Sequence, residues 1–523
     1  MGGYARLLDD GNAGPEINNA HHRGWPLITL DPASTIATSP VKKVAFTTRQ
    51  GKPSIWIWVP WVWLLFAATR QPSRWLLWNK PVNFNAQDAS GSPIDRILMS
   101  ALMAIGIYVL ARRSKNVSRI LENNKWLVLF LVYTGLTILW SNFPGYSLVR
   151  YIRTLGVLEM VLMVLTERYP DEAIRVLLRR LYLVHICLSA FTIKYVRNIG
   201  IFYDWSGQEE DWVGLSTDKN SLGQVAMCSG IVWLWQILHW WRNRKEKGRT
   251  KAFLLNGVCL IVTLWILRGS KTVHSSTSII GFVVCASALL GLQLMRRRAA
   301  NAKRLIAGSI VAFLFVVPPA YLAFEVLGST PVTLVVQATG RNMTFTDRNL
   351  IWKDVFNIAK KQPLLGVGVG ALWVGPIGYS LYPMPNWSAK TPEWRPQEAH
   401  NGYIDTYAQV GILGFALLVI VIGCGISGAL DDLQNRFEFG SLRLVLFIGV
   451  LLCNMTESSF LLGTSHLWFI FLLLAINRPK SKRAAPPKPG IVGRHPLSDY
   501  KEAVTVDVRR ATRPTFTKRT CAV

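Results

Sequence analysis

Apolar residues gather along this chain in twelve blocks, most of them close to the length that crosses a hydrocarbon core of roughly 30 Å. No other feature restricts the fold as much. The blocks lie at 55–78, 97–111, 126–140, 147–165, 177–195, 221–241, 252–268, 278–295, 305–325, 404–428, 443–456 and 464–477, the first interrupted by Pro60. Only 17% of the 523 residues are charged, against roughly 25% in a soluble chain. A large soluble helical protein would show an amphipathic stripe on most of its helices, and these blocks do not. The pattern predicts an all-α, polytopic integral membrane protein with about 12 transmembrane helices and one long outward-facing loop.

The placement of charge orients those spans. The net charge is +28, yet Arg and Lys sit in short links between blocks and in both tails, not on a surface built for nucleic acid. With the N-terminus inside, the links 112–125, 166–176, 242–251, 296–304 and 429–442 become cytoplasmic and collect the strongest basic clusters, as the retention of cationic loops requires. Both termini are then cytoplasmic. The chain divides into an N-terminal tail, 1–53, a membrane domain, 54–477, and a basic, Pro-rich tail, 478–523, both tails being expected to be disordered. The C-terminal tail suits contact with anionic headgroups or plain solvation, and it permits recruitment of a chain-length regulator. Six of the seven cysteines lie within apolar blocks and none in the long outer loop, so no disulfide framework or metal-type spacing is expected.

The outer loop, 326–403, alone is long enough to fold, and it holds a helical stretch from Arg348 to Lys361 ended by Pro363 and the glycines of LLGVGVGALW. The glycine run follows no parallel strand, so it reads as a tight turn or a close helix approach, not a nucleotide cradle. His400 stands in QEAHNGYID at the mouth of a span, flanked by Glu398 and Asp405. It suits a general base oriented by a carboxylate, although by residue type alone the commoner case is an interfacial histidine that hydrogen-bonds at a helix entrance. Arg341 and Arg348 in the same loop, Lys219 in STDKNSLG, and Arg150 and Arg153 in SLVRYIRTLG supply outer-face cations. Charge near the outer end of a span demands an anion, here a carboxylate such as Glu159 or Glu457, or a ligand phosphate. HSSTS at 274–278 reads as a helix cap or a sugar contact.

Three ordered segments resemble the O-antigen ligase and polymerase (Wzy-type) membrane proteins, most closely those of exopolysaccharide synthesis in Gram-negative bacteria. TDRNLIWKDVFNIAKKQPLLGVGVGALW is similar to the family's Arg-x-x-x-Trp segment with its following glycines. HNGYIDTYAQVGILG is similar to the ligase-type pattern through His400, Asn401, Gly411 and Gly414, and STDKNSLG to a Lys-Asn-x-x-Gly span entry, with an unusual STD lead-in. The resemblance covers roughly residues 130–475. It implies a metal-independent, cofactor-free glycosyl transfer at the outer face of the bacterial inner membrane, which would make the long outward-facing loop a long periplasmic loop. The donor would be an oligosaccharide on undecaprenyl diphosphate, and the acceptor another repeat unit or, for a ligase, lipid A-core. The resemblance assigns His400 as base and Arg348 to the leaving diphosphate, with Arg341, Arg153, Lys219 and Arg150 as further phosphate contacts. Glu398, Asn401, Asp405 and Glu457 would support them. A transporter or flippase of the same lipids would explain spans and cations, but not a long outer loop with a histidine entry motif, and no inverted repeat is apparent.

Overall fold

The computed structural model describes residues 51–76, 92–203, 210–242, 250–270, 273–297, 304–305, 307–309, 312, 348–374, 384–388 and 396–479. Arg341, most of the ninth apolar block and nearly all of both tails lie outside these residues. The described chain is all-α apart from one small hairpin. In order it forms α1 (Trp58–Ala68), α2 (Pro72–Leu76), α3 (Pro93–Arg112), α4 (Ser114–Glu122), α5 (Lys125–Leu136), α6 (Pro144–Leu165), α7 (Pro170–Tyr195) and α8 (Arg197–Gly200). The strands β1 (Ile201–Tyr203) and β2 (Glu210–Trp212) pair antiparallel, Ile201 opposite Trp212. There follow α9 (Lys219–Arg242), α10 (Thr250–Arg268), α11 (Ser276–Leu294), α12 (Arg348–Ala359), α13 (Pro385–Ser388), α14 (Gly402–Asn435), α15 (Phe437–Cys453) and α16 (His466–Ala475).

Among the described residues six helices, α3, α7, α9, α10, α11 and α14, are long and apolar enough to cross a membrane. The 19 residues of α10 rise about 28 Å, close to a hydrocarbon core of roughly 30 Å. Exposed Leu254, Val258, Ile261 and Leu264 run down one face of α10, and Ile280, Val283, Leu290 and Leu294 down α11. Such faces belong against acyl chains. By contrast all ten residues of α16 are buried, so this short helix is a central post, packed through Trp468, Phe471 and Phe447.

Local sequence explains where the helices begin. Proline at the first position opens α3, α6 and α7, where no amide partner is lost, and Ser92 caps α3 by accepting from Ile94 N. Pro60 occupies the first turn of α1, which it tolerates; the first apolar block breaks at Thr69 instead. The link 112–125 contains the short helix α4, and α14 runs well beyond the expected end of its block.

Ion pairs define one end of the bundle. Glu438 at the start of α15 meets Arg242 from the end of α9 and Arg296 from beyond α11. Glu167 after α6 meets Arg113 after α3 at 2.7 Å and accepts from Ser54. Arg436 and Arg478 share Asp171, bringing the start of α7, the end of α14 and the exit of the chain together. The described ends of the basic links thus gather at a single end. Buried Arg443 pairs with Asp432 at 2.7 Å and donates to Leu474 O and Asn477 Oδ1. Replacing Arg443 by Ala leaves Asp432 with Arg436 as its remaining partner and strips Leu474 O and Asn477 Oδ1 of a donor, a loss of about 1–3 kcal/mol. We expect a clearly lower thermal unfolding midpoint for Arg443→Ala in detergent, and an unchanged midpoint would refute this role.

Candidate active site

The opposite end of the bundle assembles a charged cluster from four separate segments. The six-residue run Asn454–Ser459 follows α15 and carries Glu457 into its centre. One oxygen of Glu457, Oε1, accepts from Arg348 Nη2 and from Asn220 Nδ2, each at 2.8 Å. The other, Oε2, lies 3.0 Å from His400 Nδ1. Glu398 Oε1 also approaches that nitrogen, at 2.9 Å. Two carboxylates therefore compete for a single N–H, and among the described residues no partner meets His400 Nε2.

His400 is held in a conformation that L residues seldom adopt, with φ of 49°. Three contacts enforce it. Trp352 Nε1 donates to Ala399 O at 2.9 Å, pinning the residue just before. Asn401 just after caps α14, accepting from Tyr403 N and Ile404 N, while its own Nδ2 donates to Met455 O. Gly402 N donates to Asn454 O. Arg348 and Trp352 are four residues apart on α12, so one helix face reaches both Glu457 and the His400 segment. That is the geometric content of the Arg-x-x-x-Trp spacing.

Electrostatics follow from the crowding. Burial by itself would lower the His400 pKa, but hydrogen bonds and charge from Glu398 and Glu457 outweigh it and raise the value to about 9. Burial, together with the Glu457 charge, pushes Glu398 up to about 8 despite its bond to His400. Burial opposes ionisation of Glu457 too, yet His400 and Arg348 hold its carboxyl below the ordinary range. Near neutral pH the cluster thus holds a charged Glu457 between two cations, with Glu398 as the proton-bearing member. Ligand atoms of Glu398, His400 and Glu457 lie within 4.8 Å of one another, a spacing a metal ion accepts. An ion there would have to displace the hydrogen that His400 Nδ1 shares with the two carboxylates, and it would adjoin the Arg348 guanidinium on Glu457.

The remaining expected residues separate into distinct environments. Lys219 pairs with Asp211 of β2 at 3.1 Å, and the unusual lead-in residue Asp218 caps α9 by accepting from Asn220 N and Ser221 N. Asp405 does not orient His400: its Oδ1 accepts from Trp373 Nε1 at 2.7 Å and Gln409 Nε2 at 2.8 Å. Arg150 lies under the glycine run, where a side chain at Gly370 would meet its Cδ at 2.1 Å, and its guanidinium has no hydrogen-bond or ion-pair partner among the described residues. Arg153, one turn further along α6, packs against Gly463. Glu159 serves neither arginine; its Oε1 is buried without a hydrogen bond. Ser275 stands before α11 without capping it, bonding Ser278 Oγ, while Thr277 accepts from Thr456 beside the cluster. Asn220 and Trp352 stand within the Lys-Asn-x-x-Gly and Arg-x-x-x-Trp motifs without a role assigned to them, and Thr456 is given none either.

The glycine run supports this end by entering a broken helix. At Gly411, φ 65° and ψ −175°, α14 departs from helical geometry. Val367 N and Gly368 N donate to Ala408 O and Gln409 O, and Ile412 N donates back to Pro363 O at 2.9 Å. A Cβ on Gly411 would stand 2.2 Å from Leu364 O, and one on Gly366 2.4 Å from Gly411 N. Gly411→Ala is expected to lower stability by more than the roughly 1–3 kcal/mol of a strained φ, because backbone must also move. Gly423→Ala, in open space, is the control. Equal melting midpoints for the two would contradict the docking.

A family model described as O-antigen ligase matches residues 272–419, a stretch that contains Arg348, Glu398, His400, Asn401, Gly411 and Gly414. Exopolysaccharide production protein ExoQ of Rhizobium meliloti (strain 1021) is 26% identical over 333 residues, covering 62% of this chain and 70% of that protein.

Proposed function

From the chain's membership of the O-antigen ligase and polymerase family, we propose that it is a membrane glycosyltransferase that joins oligosaccharide repeat units carried on undecaprenyl diphosphate into a longer polysaccharide. The observation that carries this reading is Glu457 bridging His400 and Arg348. One carboxylate thereby couples a candidate base to a candidate phosphate-binding cation at the end of the bundle remote from the basic links. In this reading that end faces the periplasm, the protein resides in the inner membrane and both termini are cytoplasmic. The similarity to a protein named for exopolysaccharide production favours polymerisation, while the ligase description of the matching family favours transfer to lipid A-core as the second reading. Recruitment of a chain-length regulator by the C-terminal tail belongs to the polymerase reading.

The acceptor hydroxyl gives its proton to His400 Nε2 as its oxygen bonds the anomeric carbon of the donor. The bond from that carbon to the diphosphate breaks, and its electron pair leaves with the phosphate. Glu457, on Nδ1, stabilises the imidazolium that forms. Negative charge growing on the diphosphate is met by fixed cations. Arg150, which has no hydrogen bond or ion pair among the described residues but feels the charge of Asp405, is one; Arg348 offers the donors that Glu457 and Thr456 O leave unused. Arg341, Arg153 and Lys219 are the further phosphate contacts of this proposal. No step needs a metal or a cofactor, so excess chelator should leave turnover by the purified protein unchanged; loss restored by a divalent cation would overturn that part.

Two outcomes test the transferase reading. His400→Ala should abolish chain extension, with single lipid-linked repeats accumulating on the outer leaflet; repeats retained inside would favour a flippase. Because His400 carries its proton up to about pH 9, the neutral base becomes commoner as pH rises. The wild-type kcat/KM should therefore climb about tenfold per pH unit between 7 and 9 and then level off. A rate that falls over that interval would assign His400 to the imidazolium form and end its role as base.

A further inference from the structure

We propose that Asn220 is a positioning residue for this transfer, fixing the Glu457 carboxylate so that its second oxygen faces His400. The inference rests on the reading of His400 as base. Asn220 occupies the first turn of α9, and its backbone is held there because Asp218 Oδ1 accepts from both Asn220 N and Ser221 N at 2.9 Å. Asp218 Oδ2 accepts in addition from Ser221 Oγ at 2.6 Å. Lys219 pairs with Asp211, and it is the neighbouring Asn220 that meets Glu457 from the α9 entrance.

A carboxylate can rotate about its terminal bond and exchange its two oxygens. Here rotation is blocked by two donors on the same oxygen, the Arg348 guanidinium and the Asn220 amide, which arrive from α12 and α9. The two are not equivalent. An arriving diphosphate competes for Arg348, whose charge it attracts, and loosens that restraint on Glu457. A neutral amide is drawn far less, so Asn220 keeps Oε2 on His400 Nδ1 while the guanidinium engages phosphate. It also adds a donor without altering the charge balance set by Glu398, Glu457, His400 and Arg348, the ionisable groups that face one another there.

The test uses the full chain in proteoliposomes, with a synthetic polyprenyl-diphosphate oligosaccharide as donor and acceptor. Asn220→Ala should lower kcat about tenfold or more with little change in KM. Asn220→Asp sets a further carboxylate beside Glu457 and should move the rising limb of the pH profile about one unit to higher pH. Asn220→Ser, which keeps a short donor, should recover part of the kcat lost in Asn220→Ala, and it replaces the alanine variant if that one fails to fold. Wild-type kcat in the alanine or serine variant together with an unmoved limb in Asn220→Asp would overturn the proposal. His400→Ala in the same vesicles separates the two failures. If it retains turnover, the base reading falls; if it is inactive while the Asn220 variants behave as wild type, only the positioning role falls.

Discussion

A buried carboxylate surrounded by donors from distant parts of the chain organises the charged end of this bundle. Glu457 is 8% exposed, and an isolated charge at that depth would be neutralised or would drag water inward. Its ionised form persists because Arg348, Asn220 and His400 converge on it, each brought by a different segment. Removing any one leaves the others facing an unsatisfied group in a poor dielectric. Together with Glu398, the charge that draws these elements together also raises the proton affinity of the histidine that the proposed transfer uses, so assembly and chemistry are coupled.

Around that centre the scaffold solves a second problem, which is holding irregular backbone at the edge of an apolar bundle. Lipid cannot satisfy free amides and carbonyls, so non-helical segments must find partners within the protein. The run Pro363–Gly370 does so by bonding the opened turn of α14 at Ala408–Leu413, each supplying the groups the other lacks. The same turn holds Gln409, whose amide receives Gly370 N and is itself bonded to Asp405. Rigidity then passes to the start of α14, where Asn401 and Trp352 clamp His400 from either side. A strained φ at His400 is tolerated because its neighbours are fixed independently of it.

Much of this was legible in the sequence, and the failures have a common cause. Apolar block length predicted the helices, because crossing a hydrocarbon layer is a local requirement that consecutive residues meet alone; α16, shorter and wholly buried, departs because neighbours and not lipid surround it. The expected carboxylate for His400 was found beside it in Glu398, but Glu457, far along the chain, shares the same nitrogen, while adjacent Asp405 serves Trp373. Lys219 read as an outer-face cation for a ligand phosphate, and it has a carboxylate partner on a hairpin that no periodicity announced.

By itself, then, the sequence determined what depends on neighbours along the chain: apolar lengths, the gathering of basic links, proline and asparagine at helix starts, and glycines where two backbones meet. Only the tertiary structure decided which charges pair and which carboxylates crowd His400. The physical reason is range. Helix formation and membrane crossing are decided over a few turns, whereas an ion pair or a shifted pKa depends on groups that folding brings together from more than a hundred residues apart, as it does Arg348 and Glu457.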